Sequence, residues 1–480
     1  MTTAASSPAP SQAGADAARF AADLIRIDTT NRGGGDGRER PAAEYVAARL
    51  AEAGVEAAVL ESAPGRANVV ARVSGSDPGA PALLAHGHLD VVPADPASWS
   101  VHPFSGEIRD GVLWGRGAVD MKNADAVLLA VVSRWARERI RPRRDIVLAF
   151  TADEEDTAEF GARWLVERHA ELFRGCTEAV GESGAFTFHA GPGRRLYPIA
   201  SAERGTAWLK LTARGRAGHG SKPNPDNAVT LLSAAMARIG AYRWPVRLIP
   251  TVQAAVEAIA AAIGRPAPPG GFGALSTGAL STGALSAGAL SAGALSEGAL
   301  SARALSAGDL PAEDLLAYLG PAAALVAGTI RNSANPTMLS AGYKVNVIPD
   351  QAVGYVDGRV LPGYGQEFVA AIDELTGPGV SWEYYDRSDP LEAPLGAPLV
   401  AAMTRALLAE DPGGTIVPYC MSGGTDAKHF AGLGMTCYGF TPLVLPEGYD
   451  YYAMFHGTDE RIPVTALEAS VRIMDQFLTG

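Results

Sequence analysis

The chain has 480 residues, 47% of them hydrophobic and 19% charged, a composition that suits a globular protein of at least two domains. Its formal net charge of −12 argues against nucleic acid and against anionic membrane surfaces, both of which select basic patches. No stretch is long and apolar enough to span a bilayer, and the scattered Cys176, Cys420 and Cys437 form no metal-ligand pattern, as in a cytoplasmic protein with buried thiols.

Residues 1–15 are rich in Ala, Ser, Pro and Gln and read as a disordered tail without the apolar core of a signal peptide. Apolar residues then recur at helical spacing from Asp16 to Asp28 and from Arg40 to Ala53, where Gly54 supplies a C-cap. Val55–Leu60 and Asn68–Val73 alternate like strands, and Ala82–Ala85 is a short apolar run that reads as a buried strand. A helix over Met121–Arg137, a buried strand over Asp145–Thr151, a helix over Gly161–His169 and a strand ending at Gly181 follow. This β-then-α alternation predicts a mostly parallel sheet covered by helices.

The pattern changes near Ser201. Thr206–Ala213 alternates like an edge-exposed strand, Asn227–Ile239 is helical, and Lys344–Ile348 and Gln351–Val360 read as strands parted by Pro349-Asp350. A smaller α+β domain over residues 201–387, inserted into a catalytic domain of residues 16–200 and 388–480, accounts for this change. Within it, Ala274–Gly308 is seven copies of Ala-Leu-Ser-x-Gly, with Arg303 in place of one glycine. A period of five matches neither helix nor strand, so the segment reads as a solvated low-complexity loop, with a short pentapeptide β-helix coil as the alternative.

Ionisable residues collect where strands should end. Ala85-His86-Gly87-His88-Leu89-Asp90 closes the third strand. Asp120 lies in Gly115-Arg116-Gly117-Ala118-Val119-Asp120-Met121-Lys122, before a helix. Asp153-Glu154-Glu155 ends the next strand, Glu182 another, and His456 stands near the C-terminus. Open α/β sheets bind ligands at these carboxyl ends. Histidines with several carboxylates and no usable cysteine set suit Zn²⁺ or a similar divalent ion in an open catalytic site. Neighbouring glutamates point different ways, so one can ligate while the other handles a proton. His86 reads as a structural neighbour, and Asp153 as an orienting acceptor outside the ligand set.

These motifs, His88-Leu89-Asp90-Val91-Val92-Pro93, Gly115–Lys122 and Asp153-Glu154-Glu155, occur in the order found in the two-zinc exopeptidases and deacylases, and the chain resembles that family over nearly its whole length. Its members include aminoacylase, acetylornithine deacetylase, succinyl-diaminopimelate desuccinylase and the glutamate carboxypeptidases. The resemblance implies a zinc-exopeptidase α/β catalytic domain with an inserted lid and dimerisation domain, a homodimer, and two Zn²⁺ per subunit, with Co²⁺ or Mn²⁺ as substitutes. It implies that His88, Asp120, Glu155, Glu182 and His456 are the metal ligands, Asp120 bridging both ions. Asp90 orients His88, and Glu154 is general base and then acid. His219, in Gly218-His219-Gly220-Ser221, reaches the partner subunit's oxyanion. Asn346 and Arg359 hold the substrate carboxylate, and Gly424 and Thr425, in Gly423-Gly424-Thr425-Asp426, line the substrate loop. The activity implied is hydrolysis of an amide or peptide bond beside a free carboxylate, in an N-acyl amino acid or a short peptide. The competing readings are a co-catalytic aminopeptidase, against which Arg359 argues, and a non-catalytic homologue, against which the complete residue set argues.

Overall fold

The computed structural model describes residues 11–265 and 312–480; the Ala-Leu-Ser-x-Gly repeat lies outside the described residues. Twelve principal strands are β1 Ala57–Ala63, β2 Arg66–Val73, β3 Ala82–His88, β4 Ile146–Thr151, β5 Cys176–Gly181, β6 Arg195–Glu203, β7 Gly205–Arg214, β8 Ser333–Ala341, β9 Gln351–Val360, β10 Val380–Arg387, β11 Thr415–Met421 and β12 Thr436–Gly439. A ten-stranded sheet runs in the order β1-β2-β4-β3-β5-β12-β6 and then Leu391–Glu392, with β11 and Phe188–His189 also paired to β6. β3 is parallel to both β4 and β5, β5 to β12, and β6 to β11, while β1, β2 and the β12–β6 pairing are antiparallel. β3 is buried along all seven residues because parallel neighbours flank it and helices cover both faces, which is why its sequence is a continuous apolar run.

On one face lie α1 Gln12–Arg26, α2 Arg40–Glu52, α3 Lys122–Glu138, α9 Pro398–Glu410 and α11 Val464–Thr479, and on the other the shorter α4 Ala162–Arg168 and α10 Ala427–Ala431. The helix expected to begin at Asp16 begins four residues earlier. Ser11 caps it, its hydroxyl accepting from Gly14 N at 3.1 Å, and Ala13 and Gly14 are buried, so residues 12–15 form the first turn of a core helix rather than the end of a tail. At its other end the buried Lys122 ammonium donates to the Leu24 and Ile27 carbonyls at 3.0 and 2.8 Å, satisfying orphan acceptors of the last turn.

The second sheet has the order β8-β9-β7-β10, all antiparallel, and packs on α5 Ala228–Ala241 and α8 Gly365–Thr376 through Leu209, Leu232, Ile239, Phe368 and Ile372. β7, expected at an edge, is an interior strand; its alternation comes from one face meeting helices and the other being open. Of Lys344–Ile348 only Val347–Ile348 is strand, pairing with Gly218–His219.

The expected single insertion of residues 201–387 is corrected in one respect. α6 Pro250–Ala262 and α7 Ala312–Leu319 belong to the large core, where Val252, Val256, Ile259, Leu315 and Leu319 are buried alongside Val417 of β11. Helical periodicity says that a face is apolar, not which surface receives it. The chain therefore passes between the two cores four times: at Arg204, between Trp244 and Leu248, between Ile330 and Ala334, and between Arg387 and Leu391. Hydrogen bonds tie the passages together, from Arg247 N to Ile330 O (2.7 Å), Ser388 N to Thr206 O (3.0 Å) and Arg204 Nη1 to Ser333 Oγ (2.9 Å).

Candidate active site

The parallel strands β3, β4 and β5 end side by side, and each delivers its polar residues to one place: His88 closes β3, Asp153-Glu154-Glu155 follows β4, and Glu182 follows β5. Two glycines permit this convergence. A Cβ on Gly87 would lie 2.2 Å from Asp125 Oδ1, and one on Gly181 would lie 2.2 Å from the His86 ring. The His86 ring lies 4.9 Å from that of Phe430, and burial pushes its pKa down to about 3. It is a neutral core residue on the other side of the sheet from Asp125, as expected of a structural neighbour.

His88 Nε2 approaches Asp120 Oδ1 at 3.1 Å and Glu182 at 3.7 Å, with Glu154 at 4.0 Å. The other oxygen of Asp120 faces His456 Nε2 at 3.4 Å, and the same imidazole nitrogen lies 3.1 Å from Glu155 Oε2. Asp120 thus divides its two oxygens between two histidines, and Glu182 and Glu155 complete the two sides. Asp120 is held by Glu460, a fully buried carboxylate that accepts from Arg116 Nη1 (2.8 Å) and from the backbone N–H groups of Gly117 (3.0 Å), Val119 (2.6 Å) and Asp120 (3.0 Å).

Asp90 does more than orient His88. Its carboxylate is 3.6 Å from His88 Nδ1, whose closer partner is the Asp90 backbone carbonyl at 3.0 Å. The carboxylate oxygens instead accept the backbone N–H groups of Glu154 (3.2 Å) and Glu155 (3.1 Å), so Asp90 fixes the turn that aims both glutamates. Asn31 donates to Asp90 at 2.9 Å and to Asp153 at 3.0 Å. Asp153, in the left-handed region at φ 64°, is further held by Arg66 at 2.8 Å, and Arg66 is paired with Glu39 at 2.7 Å in full burial. Asn31, Glu39, Arg66 and Glu460 escaped the sequence reading. They lie in no motif at short spacing, and nothing in one sequence marks a buried charge as buried.

Burial raises Glu154 well above the ordinary carboxylate range, with the charge of Glu182 adding to it. Burial and Asp120 push Glu155 up to about 7. Burial opposes ionisation of Asp120 as well, but hydrogen bonds to His456 and His88 hold it below the ordinary range. Hydrogen bonds donated by His456 to Asp120 and Glu155 raise its pKa to about 10. Four carboxylates around two imidazoles form an excess of buried anionic oxygen, and Glu155 Oε1 is buried without any hydrogen-bond partner among the described residues. Such a set fits divalent cations with nitrogen and oxygen donors.

The expected substrate residues are placed differently. His219 is exposed, its Nδ1 paired with the Ser221 hydroxyl at 2.9 Å, and the exposed Asn346 adjoins it through Gly220 N to Asn346 O at 2.9 Å. No hydrogen bond or ion pair joins either to the acidic cluster among the described residues. Thr425 is 1% exposed, with its amide (3.0 Å) and hydroxyl (2.7 Å) both donated to Glu203, so its side chain is committed and Gly424 is the more open part of that loop. Arg359 is gripped by Asp357 at 2.7 and 3.1 Å.

Residues 84–480 match the family model "Peptidase family M20/M25/M40". The N-fatty-acyl-amino acid synthase/hydrolase PM20D1 of Xenopus tropicalis is 26% identical over 424 residues, covering 85% of this chain and 74% of that protein. The succinyl-diaminopimelate desuccinylase of Maricaulis maris is 35% identical over 191 residues, 39% of this chain and 47% of that protein. Among solved structures, the M20 family metallo-carboxypeptidase Sso-CP2 of Sulfolobus solfataricus superposes with a TM-score of 0.67 at 15% identity, covering 97% of this chain and 98% of that one, and human carnosine dipeptidase 1 with a TM-score of 0.62 at 15% identity, covering 97% and 96%. A match over residues 84–480, carrying every element that converges on Asp120, shows that this chain belongs to peptidase family M20/M25/M40 and is a metal-dependent hydrolase of amide bonds.

Proposed function

We propose that the protein hydrolyses the amide bond of an N-acyl amino acid or short peptide beside a free carboxylate, with two divalent ions, Zn²⁺ in the first instance, held by His88, Asp120, Glu155, Glu182 and His456. The observation that carries this reading is the division of Asp120 between His88 and His456, with Glu154 beside them. Ions held there would polarise the scissile carbonyl and make water a stronger acid. Glu154 takes the proton from the attacking water and passes it to the leaving nitrogen; its raised pKa suits a group that must hold that proton between the two steps. Asp90 keeps Glu154 aimed by fixing its backbone. His219 donates to the developing oxyanion in the neighbouring subunit of a homodimer, a role that suits its exposure on the smaller domain. Asn346 and Arg359 sit on the same domain, which closes over the substrate as a lid. The three unpaired cysteines suit the reducing cytoplasm.

The relatives' substrates, fatty-acyl amino acids and a succinylated diamino acid by their names, both pair an acyl group with an amino acid. The test is metal analysis of the zinc-loaded protein with a hydrolysis screen of N-acyl amino acids and dipeptides. Two metal equivalents per chain and turnover of at least one class are expected. Less than one equivalent overturns the paired site, and full loading without turnover of either class overturns the substrate reading.

A further inference from the structure

A phenol taken out of water needs a hydrogen-bond partner. Among the described residues, the buried tyrosines follow that rule with one exception. Tyr197 donates to Asp411 at 2.7 Å, Tyr438 donates to the Pro394 carbonyl at 2.8 Å, and Tyr419 shares a hydrogen bond with Tyr452. Tyr451 is 5% exposed, and its hydroxyl has no hydrogen-bond partner among the described residues.

The ring of Tyr451 is fixed on both sides. It stacks on Phe186 with centroids 4.3 Å apart and meets Phe455 edge-on at 4.9 Å. Phe186 follows Glu182 closely in the chain and Phe455 directly precedes His456, so the ring is wedged between the two segments that carry those residues. The surroundings are fastened: Leu443 N donates to the Ala185 carbonyl at 3.1 Å and Thr187 N to the Leu443 carbonyl at 2.9 Å. The Tyr451 carbonyl accepts from Met454 N at 3.1 Å in the turn that leads to His456. The acidic centre bears on the phenol. Burial, then the charge of Asp120, and beyond it Tyr449, Glu182 and Glu460, push its pKa well above the ordinary range. The hydroxyl is therefore a neutral donor without an acceptor, beside a centre built of carboxylates that accept and, once ionised, cannot donate.

We propose that the Tyr451 hydroxyl donates to the substrate's acyl oxygen as that oxygen becomes negative, a catalytic contact supplied by the same chain that holds the reaction centre. This rests on the proposed function for the amide substrate. It adds a donor already in place to the exposed His219, which arrives from the neighbouring subunit. The water oxygen adds to the carbonyl carbon, and the π pair moves onto the acyl oxygen, which accepts from Tyr451. Glu154 takes the water's proton and passes it to the nitrogen as the carbon–nitrogen bond breaks, while Tyr451 keeps its own proton throughout. A donor aimed at charge that develops only in the transition state lowers the barrier without tightening substrate binding.

The test uses full-length, zinc-loaded wild-type protein with two variants. Tyr451→Phe removes the hydroxyl and keeps the stacked ring, and Tyr452→Phe removes the neighbouring hydroxyl. Each is measured for metal content, for hydrolysis of N-acetyl amino acids and dipeptides, and for calorimetric binding of methylphosphonate, a tetrahedral oxyanion. Tyr451→Phe should keep its metal and lose about 100-fold in kcat with little change in KM. It should also bind methylphosphonate about 10- to 100-fold more weakly. Tyr452→Phe should stay close to wild type in both. Unchanged kcat and methylphosphonate binding in Tyr451→Phe overturn the proposal. So does a loss of metal that accounts for the lost rate, or an equal loss in Tyr452→Phe, since either makes the aromatic stack a support. If fully loaded wild type hydrolyses neither class of compound, the proposed substrate reading falls, and methylphosphonate binding alone decides the donor. Replacing Tyr451 by 3-fluorotyrosine covers a misfolded Tyr451→Phe. Its fluorine resonance should shift when methylphosphonate is added to the zinc-loaded protein, and a fixed resonance overturns the proposal.

Discussion

At the scale of the residue, the site depends on carboxylates kept in unlike environments. Glu154 and Glu155 are neighbours, but Glu155 faces His456 and Asp120 whereas Glu154 faces His88 and Glu182. Glu154→Gln keeps the size and removes the proton acceptor, so kcat should fall by about 10²- to 10⁴-fold with metal content unchanged. A rate equal to wild type in stopped assays would remove Glu154 from proton transfer. Glu460 is the complementary case, touching no substrate but accepting four donors around the Asp120 loop. Glu460→Ala leaves Arg116 buried without its anion and three amides unpaired, a loss of about 3–5 kcal/mol in chemical denaturation. The same variant should bind metal more weakly, because the loop that presents Asp120 is no longer pinned. Unchanged stability and metal affinity would show that the loop holds itself.

At the scale of the element, motifs at strand ends were legible because the physics is local: an apolar run followed by His-Gly-His or Asp-Glu-Glu is both a buried strand and its polar terminus. His88, Glu154, Glu155 and Glu182 were visible in this way, whereas Asp120, in a loop before a helix, and His456, near the C-terminus, joined them through the family that the chain resembles; the structure brings all six together. What stayed hidden was the support beneath them. Asn31 precedes Asp90 by 59 residues, and Arg66 precedes Asp153 by 87. The same holds for the destination of α6 and α7, whose apolar faces fit either core until tertiary packing chooses. Asp411 shows a further long-range tie: Arg195 grips it at 2.6 and 2.7 Å and the Tyr197 hydroxyl donates to it at 2.7 Å, fastening the end of α9 to β6. The Arg195 hydrogen bonds, outweighing burial, lower its pKa from 3.8 to about 2. A carboxylate whose folded pKa is depressed adds stability above its unfolded pKa and loses it as pH falls through the folded value. Acid denaturation of wild type should therefore steepen between about pH 4 and pH 2, and Asp411→Asn, less stable at neutral pH, should lose that part of the slope. Parallel acid curves for the two proteins would show that Asp411 titrates alike in the folded and unfolded chain.

At the scale of the whole molecule, the large core is assembled from residues before β7, after β10 and from the excursion through α6 and α7. The repeat Ala274–Gly308 connects those two helices, and each reaches the core through its own buried side chains: Val252, Val256 and Ile259 in one, Leu315 and Leu319 in the other. Its removal should leave metal content and turnover largely intact, since each helix is anchored without it and shortening a connection changes loop-closure entropy only slowly. A dead, misfolded or monomeric deletion product would assign the repeat a structural role.

The four passages between the cores set how the smaller domain can move. A body joined by two segments has wide freedom to swing and twist, whereas each added segment removes directions of travel. Here Arg247 is bonded to Ile330, Ser388 to Thr206 and Arg204 to Ser333, so the passages are laced pairwise into one narrow band. A bend of the smaller domain about the axis of that band would meet the least resistance, whereas twisting and sliding would strain every cross-tie. Such a bend would carry exposed side chains such as His219 along a fixed arc rather than through a wide cone.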